Sequence, residues 1–85
     1  MKDVNRNEVK ETLLGIIGSV LNIDSNKVTE EKELSMDLQI DSLALYEIVV
    51  DVEEKFSLRI SNDEADDLKT VGEAVDFVVR KLEHS

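Results

Sequence analysis

Three stretches of this chain repeat apolar residues at helical spacing, and none alternates long enough to make a strand. Val9, Leu13, Ile16, Ile17 and Val20 fall at i, i+4, i+7, i+8 and i+11, which predicts a helix from about Asn7 to Leu21. Asn5 or Asn7 is placed to cap it, and Glu8 and Glu11 suit its first turns. A second helix is expected from Asp41–Ser42 to about Phe56, with Leu45, Ile48, Val49, Val52 and Phe56 inward. A short third helix spans about Asn62 to Leu68, capped by Ser61 or Asn62. The fourth runs from about Thr70 to Leu82 with Val71, Ala74, Val75, Val78 and Leu82 inward, and Thr70 with Glu73 reads as a capping box. Only Phe56–Ile60 alternates, and it is short. The fold class is therefore all-α: a small four-helix bundle of three longer helices and one short one. Helices I and II are joined by a long loop, Asn22 to Ile40, whose Val28, Leu34 and Leu38 should lie across the bundle.

Composition narrows the function. At 85 residues the chain is expected to be a single domain over 1–85. Twenty acids against ten bases give a net charge of −10, which argues against nucleic acid and anionic membranes and for partners with basic surface. No cysteine is present, so thiolate metal sites and cysteine nucleophiles are absent from the chain. The start, MKDVNRNEVKE, is not a signal peptide, and no run approaches a membrane span, so the expectation is a cytoplasmic monomer. Its single histidine, His84, sits in the tail, where a solvated role is expected. An EF-hand loop begun at Asp24 places Val28, Thr29 and Ser35 where ligand, glycine and glutamate are required; one begun at Asp63 has no glycine. No metal site is expected. The pairs Glu53–Glu54 and Asp66–Asp67 diverge on a helix and read as a solvated face rather than as acid–base machinery.

The informative stretch is Asp37-Leu-Gln-Ile-Asp41-Ser42-Leu43, where a long loop meets a helix start and Asp41 precedes Ser42. Taken alone this is an ordinary N-cap. The helix that follows carries a second stripe, Leu43, Tyr46, Glu47, Val50 and Glu54, on the face its core stripe leaves outward. Apolar groups beside carboxylates on that face suggest a docking surface for a partner with a basic-rimmed groove. Glu8 and Glu11 of the first helix are expected to lie away from it. The other serines (19, 25, 35, 57, 61 and 85) lack the combination of preceding aspartate and following helix.

From EVKETLLGIIGSVLNIDSNKVT through DLxxDSLxxxEIVVxVEEKF to IxxDEAD and TVGEAVDFV, nearly the whole chain resembles the acyl carrier proteins of the free-standing bacterial type. The resemblance implies that Ser42, flanked by Asp41 and Leu43, carries covalent 4′-phosphopantetheine from coenzyme A, so that the group carrier brings its own sulfur. It implies that helix II is the recognition helix, with Asp41, Glu47 and Glu54 matching partner-contacting acids. The implied partners are a phosphopantetheinyl transferase and acyl-transferring and chain-elongating enzymes with basic patches. The protein itself would be no enzyme. It departs from the family pattern at Gln39, Ala44, Lys55 and Ser61, so fatty acid biosynthesis and a dedicated polyketide or modified-lipid pathway both stay open. Two rivals remain: a peptidyl or aminoacyl carrier, and an unmodified acidic interaction module.

Overall fold

A computed structural model describes residues 4–84. Helices α1 (Arg6–Leu21), α2 (Ser42–Phe56), α3 (Asn62–Asp66) and α4 (Val71–Glu83) follow in order, with one 3-10 turn, Ser25–Lys27, between α1 and α2. Among the described residues there is no strand, only an isolated antiparallel bridge between Glu33 and Thr70. The all-α bundle read from the periodicities is the fold.

Helix α1 begins one residue earlier than expected, because the Asn5 carboxamide oxygen accepts from the Asn7 and Glu8 amides. It ends at Asn22, which turns left-handed at φ 59° and donates its amide to the Gly18 carbonyl. A Cβ on Gly18 would stand 2.9 Å from the Ile23 carbonyl oxygen, so the chain can fold back there only over glycine. Helix α3 is shorter than expected. Asp67 already caps it, and the Leu68 amide turns back to the Ala65 carbonyl, 3.2 Å away.

The core gathers Val9, Leu13 and Ile17 of α1, Ile48, Val49 and Val52 of α2, and Val71, Ala74, Val75 and Val78 of α4. Each large aliphatic side chain buried this way contributes about 1.5–3 kcal/mol. Val28, Leu34 and Ile40 of the long connection are buried too, which explains how it crosses the bundle without regular structure. Phe77 joins the core although the inward stripe counted from the sequence omits it. A bundle helix presents a face wider than one strict stripe, and Phe77 sits on its edge.

The connection is held chiefly by backbone bonds to the start of α4. The Val71 amide donates to the Lys32 carbonyl (3.0 Å), Gly72 to Glu30 (2.9 Å), and Leu34 to Lys69 (2.8 Å). Arg6 adds an ionic clasp, its guanidinium meeting both Glu30 carboxylate oxygens and, at 2.8 Å, Asp76. These bonds raise the Arg6 pKa and, acting chiefly through Arg6, hold the Glu30 carboxyl below its ordinary value.

The reciprocal capping box is found at another helix than expected. Thr70 Oγ1 does accept from the Glu73 amide, but the Glu73 carboxylate reaches the Lys69 amide rather than that of Thr70. At α3 the box is complete: Ser61 and Glu64 each accept from the other's amide. That backbone bond, and then Lys81 2.9 Å away, keep the Glu64 carboxyl below its usual range.

Candidate functional site at the start of helix α2

Ser42 is the first residue of α2 and is exposed. Asp41, its N-cap, is extended (φ −88°, ψ −179°), and its carboxylate accepts the Ala44 amide at 2.8 Å. The approach to this pair is fixed from behind. Ile40 is buried, and its amide donates to the Leu34 carbonyl at 2.9 Å. Asp37 takes the Glu33 amide on its carboxylate at 2.8 Å, while the amides of Asp37 and Leu38 both donate to the Glu33 carbonyl. Between these anchors Gln39 adopts φ 54°, a left-handed conformation that a side chain disfavours. Among the described residues no group accepts from the Ser42 or Leu43 amide, so two N–H groups of the first turn face outward beside the hydroxyl.

A groove of about 510 Å³ opens at Ser42 between α2 and α3. Leu43 and Tyr46 edge it on one side, Asn62 and Asp66 on the other, with Leu45, Val49 and Ala65 as its floor. Those three floor residues also line a small interior cavity of about 40 Å³, whose wall is wholly apolar. The cavity is large enough for about one water but offers it no polar partner, so it stays dry.

Leu43 and Tyr46 are 69% and 59% exposed, and both border the groove. Glu47 is exposed and Val50 half-buried. Glu54 stands apart from this cluster: it shares a second groove, between α1 and α2, with Asp51, Lys55 and Glu11. Glu11 is therefore not remote from the acids of α2. The structure thus brings Ser42, Leu43 and Tyr46 together at one groove, with Asp41 capping the helix beside them, and sets Glu54 at another. The sequence reads Asn62 and Asp66 only as a helix cap and a solvated acid, and leaves Phe77 out of the inward stripe; it points to none of them at a groove. The carboxylate pairs have structural or solvated roles; Glu53 accepts the Ile60 amide at 2.7 Å and ties the α2–α3 turn to α2. Among the described residues no group of three or more metal-ligating side chains converges, and no helix is long and apolar enough to cross a membrane.

Residues 11–78 match the family described as the phosphopantetheine attachment site. The acyl carrier protein of Acidothermus cellulolyticus is 44% identical over 75 residues, covering 88% of this chain and 89% of that protein. Among solved structures, the acyl carrier protein of Enterococcus faecalis superposes with a TM-score of 0.75 at 33% identity, covering 92% of this chain and 99% of that one. That of Thermotoga maritima gives 0.79 at 28% identity, covering 93% and 92%. The chain belongs to the acyl carrier proteins, carriers rather than enzymes, built on a phosphopantetheine attachment domain.

Proposed function

We propose that Ser42 is the attachment residue, and that this single-domain carrier, acting in the cytoplasm, holds saturated acyl intermediates of fatty acid or related lipid synthesis. The observation that carries the reading is the exposed Ser42 hydroxyl at a helix start whose two outward amides stand at the mouth of an apolar groove. Those amides and the positive end of α2 suit a phosphodiester, and Leu43 and Tyr46 suit the less polar length of the arm. When bound, the arm supplies a terminal thiol that holds the acyl group as a thioester. The residues of this chain do the rest: Asp41 fixes the first turn, Ile40 anchors its approach, and the groove leads over Leu45, Val49 and Ala65 toward the dry cavity. At about 40 Å³ the cavity must widen to admit a chain, and each methylene buried contributes about 0.8 kcal/mol toward that. An amino group, or the repeated carbonyls of a polyketide, would lose hydration there without a partner. That difference favours aliphatic cargo over the aminoacyl and polyketide alternatives.

Partners would dock on Leu43, Tyr46 and the edge of Val50, with Glu47 and Glu54 meeting basic side chains. The segment Asp41–Leu68 carries −7 of the total charge of −10, which steers encounter more than it deepens affinity. The test is intact mass after incubation with coenzyme A, magnesium and a phosphopantetheinyl transferase. One arm is expected, lost in Ser42→Ala and kept in Ser25→Ala. Ser25 is the informative rival, because Asp24 precedes it and accepts the Asn26 amide, yet only a three-residue turn follows. A gain of mass in Ser42→Ala would overturn the assignment.

A further inference from the structure

The cavity has a second neighbour besides the groove at Ser42. Between α3 and α4 lies another groove, of about 450 Å³, bordered by Glu64, Asp67, Glu73, Asp76 and Arg80. Among the described residues only Leu68 and Phe77 line both this groove and the interior cavity. They are the partition between the interior and that outer face. Phe77 is the single aromatic ring in the cavity wall and is 9% exposed. It is braced from outside: the Lys81 ammonium lies 5.5 Å from the ring centroid and is itself 2.9 Å from the Glu64 carboxylate. Leu45, Val49 and Ala65 instead line both the cavity and the groove at Ser42. The interior thus has an open side and a stopped end.

We propose that Phe77, with Leu68, is the specificity-determining stop that sets the longest acyl chain this carrier shelters, and that the Lys81–Glu64 pair holds the ring in place. The inference rests on the reading that cargo enters the cavity from the Ser42 groove. A chain longer than the interior meets the ring and must fold back or leave. Phe77→Leu removes about three carbons from the partition and lets the chain end pass into the α3–α4 groove.

The experiment measures thermal stabilisation of each acylated form over the thiol form, using straight-chain acyl groups from butyryl to myristoyl on the arm. Wild type is expected to show a best-stabilised length. In Phe77→Leu that optimum should move to chains about two or three carbons longer. Leu68→Ala, at a half-buried position that tolerates truncation, should move it in the same direction. Lys81→Met, which leaves the wall intact and frees the ring, should broaden the optimum without abolishing it. Val52→Ala, which trims the α2 wall away from the partition, should leave the optimum where it is. If both partition variants keep the wild-type optimum, or Val52→Ala shifts it equally, the stop is wrongly placed while the cavity reading stands. If no acyl length stabilises wild type, the cavity reading fails and the stop fails with it.

Discussion

Helices α2 and α4 start alike and finish with opposite exposures. Asp41 and Thr70 are both extended N-caps whose side chains accept the amide three residues on, from Ala44 and Glu73. The next two amides separate them. In α4, Val71 and Gly72 donate to Lys32 and Glu30 of the long connection, so the helix start is sealed by the chain's own backbone. In α2, Ser42 and Leu43 have no such acceptor among the described residues. A helix start exposes its first amides unless something covers them. The bundle covers one start and leaves the other open beside a hydroxyl and an apolar groove. The open start is available for chemistry because the sealed start carries the long connection.

Breaking the seal should have the largest effect on the fold. A Cβ at Gly72 would lie 3.1 Å from a Glu30 carboxylate oxygen and 3.3 Å from its carbonyl oxygen. Gly72→Leu must push the connection away, at about 1–3 kcal/mol. The melting temperature should fall by about 5 °C or more, with the rate of arm attachment to the folded protein unchanged. A matched loss of attachment would mean that the two starts are coupled rather than separate. Next come the caps. Asp41→Ala and Thr70→Ala should each cost about 1 kcal/mol. Only Asp41→Ala should slow arm attachment, because the Thr70 helix start is sealed by the chain's own backbone. Asp41→Asn keeps the cap and removes the charge, so its rate separates the two contributions.

Some of this contrast could be read from residue types and some could not. Asp41 before Ser42, and Thr70 before Val71, are recognisable caps because short oxygen-bearing side chains serve that geometry. The seal is invisible, since its acceptors are the carbonyls of Glu30 and Lys32, and any residue could supply them. The Glu73 carboxylate is long enough for either the Thr70 or the Lys69 amide, so sequence spacing could not select the one it takes. Phe77 escaped a count based on one stripe, although its place beside Val78 on a wide apolar face was a usable signal. Gln39 gave no sign of its left-handed backbone, since glutamine has no preference for it. Its only pointer was that the chain departs from the family pattern there. Gln39→Gly should therefore stabilise the protein by about 0.5–1 kcal/mol, the relief of left-handed strain less the entropy of glycine. Chemical denaturation would show the gain as a higher midpoint at unchanged slope, and a loss would mean that the glutamine side chain has a hidden role.

Acid should loosen the sealed region first. The Glu30 carboxyl is held below its ordinary value chiefly by the Arg6 hydrogen bond, and Glu64 chiefly by the Ser61 amide. Both are lowered in the folded state. Their contribution is therefore full above the unfolded value of about 4.3 and is lost as pH falls through the folded values. Melting temperature followed from about pH 6 to about pH 3 should fall less steeply in Arg6→Gln than in wild type, because that variant has already lost Glu30's share. Parallel curves would show that the clasp adds nothing, as many exposed ion pairs do.

The smallest effect on stability, and the sharpest probe of the open start, is charge reversal on α2. Glu47→Lys with Glu54→Lys changes the charge by about +4, and both side chains are exposed, so stability should move by no more than about 0.5 kcal/mol. Arm attachment should slow, and its normal decline with added salt should flatten, because steering is screened over about 10 Å at 0.1 M salt. The control needs acids away from both α2 grooves. Glu11 does not qualify, since it lines the α1–α2 groove with Asp51 and Glu54. Glu31, in the long connection, and Glu83, at the end of α4, are exposed and border neither groove. Reversing that pair makes the same change in net charge. If it slows attachment as much as the α2 pair does, partners respond to total charge and the open start has no docking face of its own. If Glu47→Lys alone accounts for the slowing, docking is confined to the Ser42 end of the helix, and Glu54 belongs functionally to the other groove.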